Sequence, residues 1–102
     1  MKARIVIGSG VRTFINSLAP EPRRKLRRAI KELTDGKGDI KQLDGKLAPY
    51  WRLRAGNIRV IFDQKYQGGQ RTILCFFADY RATVYTVLEQ LLASDFLDQL
   101  RN

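Results

Sequence analysis

Arginine side chains recur in this chain at a spacing that suits phosphate binding. Arg52 and Arg54 alternate with Trp51 and Leu53, which is the period of a β-strand, so the two arginines are expected to share one strand face. A guanidinium stays charged and matches two phosphate oxygens at once. The pattern predicts a phosphate-binding face. A solvated polar face on a half-buried sheet would explain the same two arginines without any function.

The residues that the chain lacks exclude several kinds of chemistry. There is no histidine, which removes the usual general base, the commonest metal ligand and every Ser–His or Cys–His pair. The single cysteine, Cys75, excludes an internal disulfide and a Cys-rich metal site. It lies in the apolar run Ile73–Phe77 and is expected to be a buried strand thiol. We therefore expect a site without metal or cofactor.

The charge balance favours an anionic partner. Nineteen Lys and Arg residues oppose ten Asp and Glu, giving a net charge of +9 and a pI near 10.2. Nucleic acid leads the list of partners for such a domain, and a protein with an acidic tail is the alternative. Part of the charge lies in a helix-like stretch around Leu26, where Arg23, Arg24 and Arg27 are candidate RNA contacts. Basic helix faces of this kind are most often simply solvated.

The element order predicts one α+β domain over residues 1–102. A β-branched run at 3–8 predicts an N-terminal strand that joins a sheet edge. Two apolar stripes at i, i+3, i+4, i+7 spacing predict a helical hairpin packed on the sheet, with Gly36 ending its second helix. Residues 36–48 are expected to be a polar connector anchored by Ile40 and Leu43.

After Pro49 the pattern changes to strands. Segments 50–55, 58–63 and 72–78, separated by Gly-containing turns, predict a three-stranded antiparallel meander. A C-terminal helix is expected from Thr83 to about Leu92, and Phe96, Leu97 and Leu100 either extend it or form a separate turn. No apolar run approaches the length of a membrane span, and the N-terminus does not have the pattern of a signal peptide. The expected location is the cytoplasm.

Two segments resemble the RelE/ParE toxin superfamily. Leu43–Phe62 contains L-D-G followed by Y-W-R-L-R-A-G-N-I-R-V-I-F, similar to the family's L-x-G lead-in and its Y/W-R-L-R-x-G-x-Y/I-R-V-I-Y/F block. Ala78–Tyr85 resembles the family's G-H-R-R-E-V-Y segment, which is less specific. The order of the elements is similar over nearly the whole chain.

This resemblance implies the toxin of a type II toxin–antitoxin pair, with an acidic antitoxin as its protein partner and no membrane or small-molecule partner. RelE-like members cut mRNA, usually on the ribosome, and so inhibit translation. Arg59, Arg81 and Tyr85 match positions that the family uses for catalysis. Arg52 and Arg54 match positions that grip the RNA backbone, and Tyr50 is a candidate to stack on a base.

The chemistry implied by the resemblance needs neither a metal nor a protein nucleophile. In RelE-like enzymes the RNA's own 2′-hydroxyl attacks the adjacent phosphate, so the site must accept a proton and stabilise extra negative charge. Arginines supply the stabilisation. Neighbouring cations favour the phenolate form of a tyrosine, which makes Tyr85 a candidate base. The pattern alone favours Tyr85 as a core or helix-start aromatic with its hydroxyl at the surface over a catalytic role.

The match has departures, and they keep other functions open. Asp79 and Tyr80 stand where the family often has Gly and His, and Thr83 replaces an acidic residue. Asp79 beside Arg81 brings a negative charge close to the expected path of the RNA. One alternative is a ParE-like DNA gyrase inhibitor without catalytic activity, although residues 79–82 do not match that subfamily's H-G-x-R-D. Another is a non-enzymatic RNA-binding module. The nuclease hypothesis predicts that Arg52, Arg54, Arg59 and Arg81 converge on one concave face.

Overall fold

The computed structural model describes residues 2–94, and the predicted apolar positions Phe96, Leu97 and Leu100 lie outside this part of the chain. Five strands and three α-helices form, in the order β1 (Arg4–Ile7), α1 (Ser9–Ser17), α2 (Pro20–Glu32), β2 (Asp39–Gln42), β3 (Trp51–Ala55), β4 (Ile58–Gln67), β5 (Gln70–Tyr80) and α3 (Val84–Ala93). Short 3₁₀ turns lie at Leu33–Asp35 and Gly45–Leu47. None of the described helices is long and apolar enough to cross a membrane.

The strands form one sheet in the order β1-β5-β4-β3-β2. The predicted meander is confirmed, because β3, β4 and β5 pair in antiparallel fashion through short turns. The N-terminal strand β1 joins one edge, parallel to β5. The predicted α+β class, with helices packed on a sheet, is therefore confirmed.

Strand β2 was not predicted. Residues 39–42 were expected to be connector, but they pair antiparallel with β3 and form the opposite edge of the sheet. All four are exposed, so they carry no alternating pattern that sequence reasoning could detect. The expected anchor Ile40 is wrong, since it remains 36% exposed. Leu43 does pack, partly buried, against the second of the two core clusters.

Each face of the sheet carries its own apolar cluster. On one face α1 and α2 pack their predicted stripes over β3, β4 and β5, and Leu26, Val60, Phe62 and Cys75 are fully or almost fully buried. On the other face α3 and the 3₁₀ turn at 45–47 cover a smaller cluster. Its buried members are Leu47, Tyr50, Ile61, Phe76, Val84 and Leu88. This second cluster covers only part of its face, which leaves polar positions of β3 and β4 open.

The buried thiol gives a direct test of the packing of β5. Cys75 has no exposed surface, and burial raises its pKa to about 12. A raised pKa keeps the thiol protonated at every pH below that value, so the reactive thiolate is absent near neutrality. We expect no labelling by a disulfide reagent at pH 8 in the native protein and full labelling in concentrated guanidinium chloride. Rapid native labelling would show that β5 opens.

Candidate phosphate-binding cleft

A cleft of about 700 Å³ lies on the α3 side of the sheet, beside the smaller cluster. Its walls come from the end of β2, the following connector, β3, β4 and the start of α3. We call it the arginine cleft. It is lined by Lys41, Gln42, Leu43, Asp44, Leu47, Arg52, Arg54, Arg59, Arg81, Ala82 and Tyr85.

Strand alternation brings three of the arginines to this cleft. Leu53 is 1% exposed and packs under the helices on the far face, so its neighbours Arg52 and Arg54 point to the cleft side. The two-residue turn at 56–57, where Gly56 adopts a φ of 62°, folds β4 back so that Arg59 pairs directly with Arg54. Glycine suits this turn because other residues adopt a positive φ only at a cost.

The fourth arginine comes from the turn between β5 and α3. The backbone N–H of Arg81 donates to the carbonyl of Asn57 at 2.8 Å, which ties this turn to the β3–β4 hairpin. Tyr85 lies in the first turn of α3, partly buried against the smaller cluster, and also lines the cleft. The four arginines predicted to converge therefore line one cleft, and Tyr85 joins them.

The Asp79 carboxylate binds groups of its own turn and pairs with neither Arg59 nor Arg81. One carboxylate oxygen accepts the backbone N–H of Tyr80 and the other accepts the Thr83 hydroxyl, both at 2.8 Å. Arg59 lies opposite Asp79 in the sheet register, but its Nη1 donates instead to the carbonyls of Gly56 and Ile58 at 2.8 and 3.1 Å. Asp79 thus fixes the turn that carries Arg81.

Removing this carboxylate should loosen the turn. We expect Asp79→Ala to lower the free energy of unfolding by about 1–2 kcal/mol, because two side-chain hydrogen bonds are lost. Asp79→Asn should cost less, since its amide oxygen can still accept one of them. Urea unfolding followed by Trp51 fluorescence measures both. Equal stability of all three proteins would mean that the turn is held by its backbone alone.

The lining of the arginine cleft is strongly positive. Five of its residues are cationic and one, Asp44, is a carboxylate. Arg54 and Arg59 stand directly opposite each other on neighbouring strands, an arrangement that like charges disfavour. Within residues 2–94, neither Arg54 nor Arg81 makes a side-chain hydrogen bond or ion pair. An anion bound in the cleft would relieve this repulsion.

Arg52 is the most constrained arginine of the cleft. Its side chain is 17% exposed, and its Nη1 contacts both the carboxylate and the backbone carbonyl of Asp39, at 3.2 and 3.1 Å. Asp39 lies on β2, so the pair links that edge strand to β3. The remaining guanidinium N–H groups of Arg52 can still donate to a ligand.

The other predicted RNA contacts do not line the cleft. Tyr50 is 8% exposed and packs edge-to-face on Phe76, with ring centroids 4.9 Å apart. Its ring therefore has too little exposed surface for the expected stacking on a base. Arg23 and Arg27 belong to α2, on the opposite face of the sheet. Arg23 donates to the carbonyls of Leu18 and Asn16, and Arg27 donates to the Asn16 side chain. Arg24 is exposed on the same helix.

Comparisons with known proteins support this architecture. A chain of the RelBE2 toxin–antitoxin complex from Mycobacterium tuberculosis matches with a TM-score of 0.59 and 16% identity, over 79% of this chain and 100% of its own length. A YoeB/ParE toxin from Agrobacterium tumefaciens gives 0.60 and 16%, over 76% and 97%. A chain of the RelE–RelB complex from Pyrococcus horikoshii gives 0.59 and 24%, over 79% and 97%. This chain has the RelE/ParE toxin fold.

The fold rests on structure and not on close sequence similarity. No protein-family model matches the chain, and no curated protein matches it by sequence. Identities of 16–24% with the solved structures establish the shared architecture. The resemblance seen in the sequence is thereby confirmed at the level of the RelE/ParE fold.

One wall of the cleft in this RelE/ParE fold was missed by sequence reasoning. Lys41, Gln42 and Asp44 come from β2 and the segment after it, which were expected to be a plain connector. The only sequence signal was the L-x-G lead-in at 43–45, which includes Asp44. Lys41 is paired with Arg52 and so adds its ammonium beside that arginine, and Asp44 adds the one carboxylate among the lining residues.

Proposed function

We propose that this chain is the toxin of a type II toxin–antitoxin pair and an endoribonuclease that cleaves mRNA on the ribosome, without a metal. The observation that carries the proposal is the convergence of four arginines on one open cleft, two of them directly opposed across a strand pair. A cluster of like charges without enough carboxylate partners is costly in the empty protein and favourable around a polyanion. RNA supplies phosphates at regular intervals along such a cleft.

In the proposed reaction, the 2′-oxygen attacks the adjacent phosphorus, and the bond from phosphorus to the 5′-oxygen breaks. The products are a 2′,3′-cyclic phosphate and a 5′-hydroxyl. Arg59 and Arg81 hold the non-bridging oxygens, whose negative charge grows in the transition state. Tyr85 is assigned as the base that takes the 2′ proton, and the leaving 5′-oxygen takes a proton from solvent, so the reaction as a whole neither gains nor loses a proton.

Arg52 and Arg54 are proposed to grip neighbouring phosphates of the same RNA strand. Both precede the β3–β4 turn, one strand away from Arg59, so a bound RNA would cross the strands at this end of the sheet. Bidentate guanidinium contacts fix register and orientation but carry no base information. Binding through several such contacts weakens steeply as salt rises, because each contact releases counterions.

The partner is proposed to be an acidic antitoxin protein. Three of the solved structures with this fold, those from M. tuberculosis, P. horikoshii and Methanococcus jannaschii, are toxin–antitoxin complexes. A net charge of +9 favours a negatively charged segment that folds on binding. The α2 arginines Arg24 and Arg27 lie away from the cleft and are available either to that partner or to ribosomal RNA. On this proposal the protein acts in the cytoplasm, where ribosomes are.

Cleavage and gyrase inhibition can be separated with purified protein. We expect incubation with ribosomes that carry an mRNA to produce defined cuts with 5′-hydroxyl ends. DNA gyrase supercoiling should be unaffected at the same protein concentration. Intact mRNA together with blocked supercoiling would reject the nuclease in favour of the gyrase inhibitor, and binding without either effect would leave an RNA-binding module.

A further inference from the structure

Among the described residues that line the arginine cleft, one is acidic. Asp44 lines the same cleft as four arginines and one lysine. Within the described residues 2–94, its side chain forms no ion pair and no hydrogen bond with any of them. It also precedes the 3₁₀ turn at 45–47 in the N-cap position, where an aspartate normally accepts a backbone N–H, and here makes no such bond.

The backbone at Asp44 is nevertheless fixed from both sides. The N–H of Leu43 donates to the carbonyl of Tyr50 at 2.9 Å, and the N–H of Leu47 donates to the carbonyl of Asp44 at 3.2 Å. Leu43 and Leu47 both pack into the smaller cluster. The carboxylate is therefore carried on an ordered segment at the rim, and a ligand that contacts it need not order the backbone first.

A carboxylate is a poor neighbour for RNA phosphate, but it is a good acceptor for a base. The cleft thus combines five cationic side chains with a single carboxylate, that of Asp44 in the segment after β2. Ionised Asp is an acceptor only, so it requires a base edge that offers donors. Guanine presents N1–H and N2–H₂ side by side, which matches both carboxylate oxygens.

We infer that Asp44 is a base-reading residue that selects guanine next to the phosphate held by the arginines. The inference rests on the proposed function, since it assumes that RNA occupies the cleft. Uracil offers only N3–H between two carbonyl oxygens, and these oxygens would face the carboxylate unfavourably. A good bidentate contact to a base discriminates by about tenfold or more.

Binding of an RNA that cannot be cut tests this directly. The probes are five-nucleotide RNAs with 2′-fluoro sugars, UUUUU and UUGUU, and the same RNA with inosine, which lacks N2–H₂, in place of guanosine. We expect UUGUU to bind the native protein about tenfold more tightly than UUUUU, with the inosine RNA between them. Asp44→Asn should remove the preference and bind UUUUU no more weakly than the native protein. Asp35→Asn, which removes the same charge far from the cleft, should keep the preference.

The outcomes separate this inference from the proposed function. Equal binding of UUGUU and UUUUU, or a guanine preference that survives in Asp44→Asn, would overturn the role of Asp44. Cleavage of ribosome-bound mRNA reports the proposed function independently. Cleavage without a preference for guanine next to the cut would keep the nuclease and reject base reading, whereas a guanine preference in binding without any cleavage on the ribosome would keep base reading and reject the nuclease. Failure to bind either short RNA would overturn the role of Asp44.

Discussion

Replacing Arg59 with alanine is expected to lower the rate of mRNA cleavage by roughly 100- to 1000-fold, which is the usual cost of losing one donor that stabilises a developing oxyanion. Arg81→Ala should have a comparable effect. The double variant should fall at least as far as either single one, although the two losses need not add, because both guanidiniums are proposed to act on one phosphate. The measurement is the single-turnover rate on ribosome-bound mRNA, together with growth after induction.

The matched control is Arg28→Ala combined with Lys31→Ala. Both residues are exposed on α2, on the opposite side of the sheet, so this variant loses the same net charge as the double cleft variant. Arg59 also bonds to the β3–β4 turn, and circular dichroism must therefore show that the cleft variants remain folded. Undiminished growth arrest in the folded Arg59→Ala/Arg81→Ala protein, at equal protein level, would contradict the assignment.

The largest expected loss of stability follows from Phe76→Ala. This ring has no exposed surface and packs on Tyr50 in the cluster that joins α3 to the sheet. Truncating a buried phenylalanine typically costs about 3–5 kcal/mol, a large share of the roughly 5–15 kcal/mol that stabilises a domain. Because the same cluster supports Tyr85, we expect activity to fall together with stability.

A second aromatic residue on the sheet provides the comparison. Tyr66 on β4 is 72% exposed, and Tyr66→Ala should change the free energy of unfolding by no more than about 0.5 kcal/mol. Urea unfolding followed by circular dichroism measures both variants. A loss of less than about 1 kcal/mol in Phe76→Ala would mean that the α3 side of the sheet contributes little to the fold, against the usual cost of such a cavity.

Local patterns were sufficient to predict the meander and the side on which its arginines lie. The alternation of Arg52 and Arg54 with Leu53 has a period of two, and this period alone determines which face each side chain occupies. Gly56-Asn57 then sets the register of the hairpin, so Arg54 and Arg59 meet across it. These are short-range relations, and a sequence carries them directly.

Contacts between distant segments explain why the sequence did not predict strand β2 or the burial of Tyr50. Strand β2 exists because β3 offers it a partner, while its own four residues are all exposed and show no strand pattern. Tyr50 was expected to stack on a base, but the turn at 45–47 and α3 cover its ring. Residues far apart in the sequence build that cover, and periodicity contains no information about them.

The basic helix α2 is a second case in which a local pattern does not specify contacts with distant segments. Its amphipathic pattern predicted α2 and its charged side correctly, with Leu26 and Ile30 buried. Nothing in the pattern specifies which face of the sheet the helix covers. The structure puts Arg24 and Arg27 opposite the cleft, so these arginines and Arg59 cannot contact one short RNA segment together.

Mapping the 5′ ends of cellular mRNA after induced expression is the direct test of mRNA cleavage by this chain. We expect new 5′-hydroxyl ends inside coding regions within minutes of induction, and none of them when the Arg59→Ala/Arg81→Ala protein is induced to the same level. Unchanged mRNA 5′ ends in cells whose growth has stopped would contradict the proposed cleavage of mRNA.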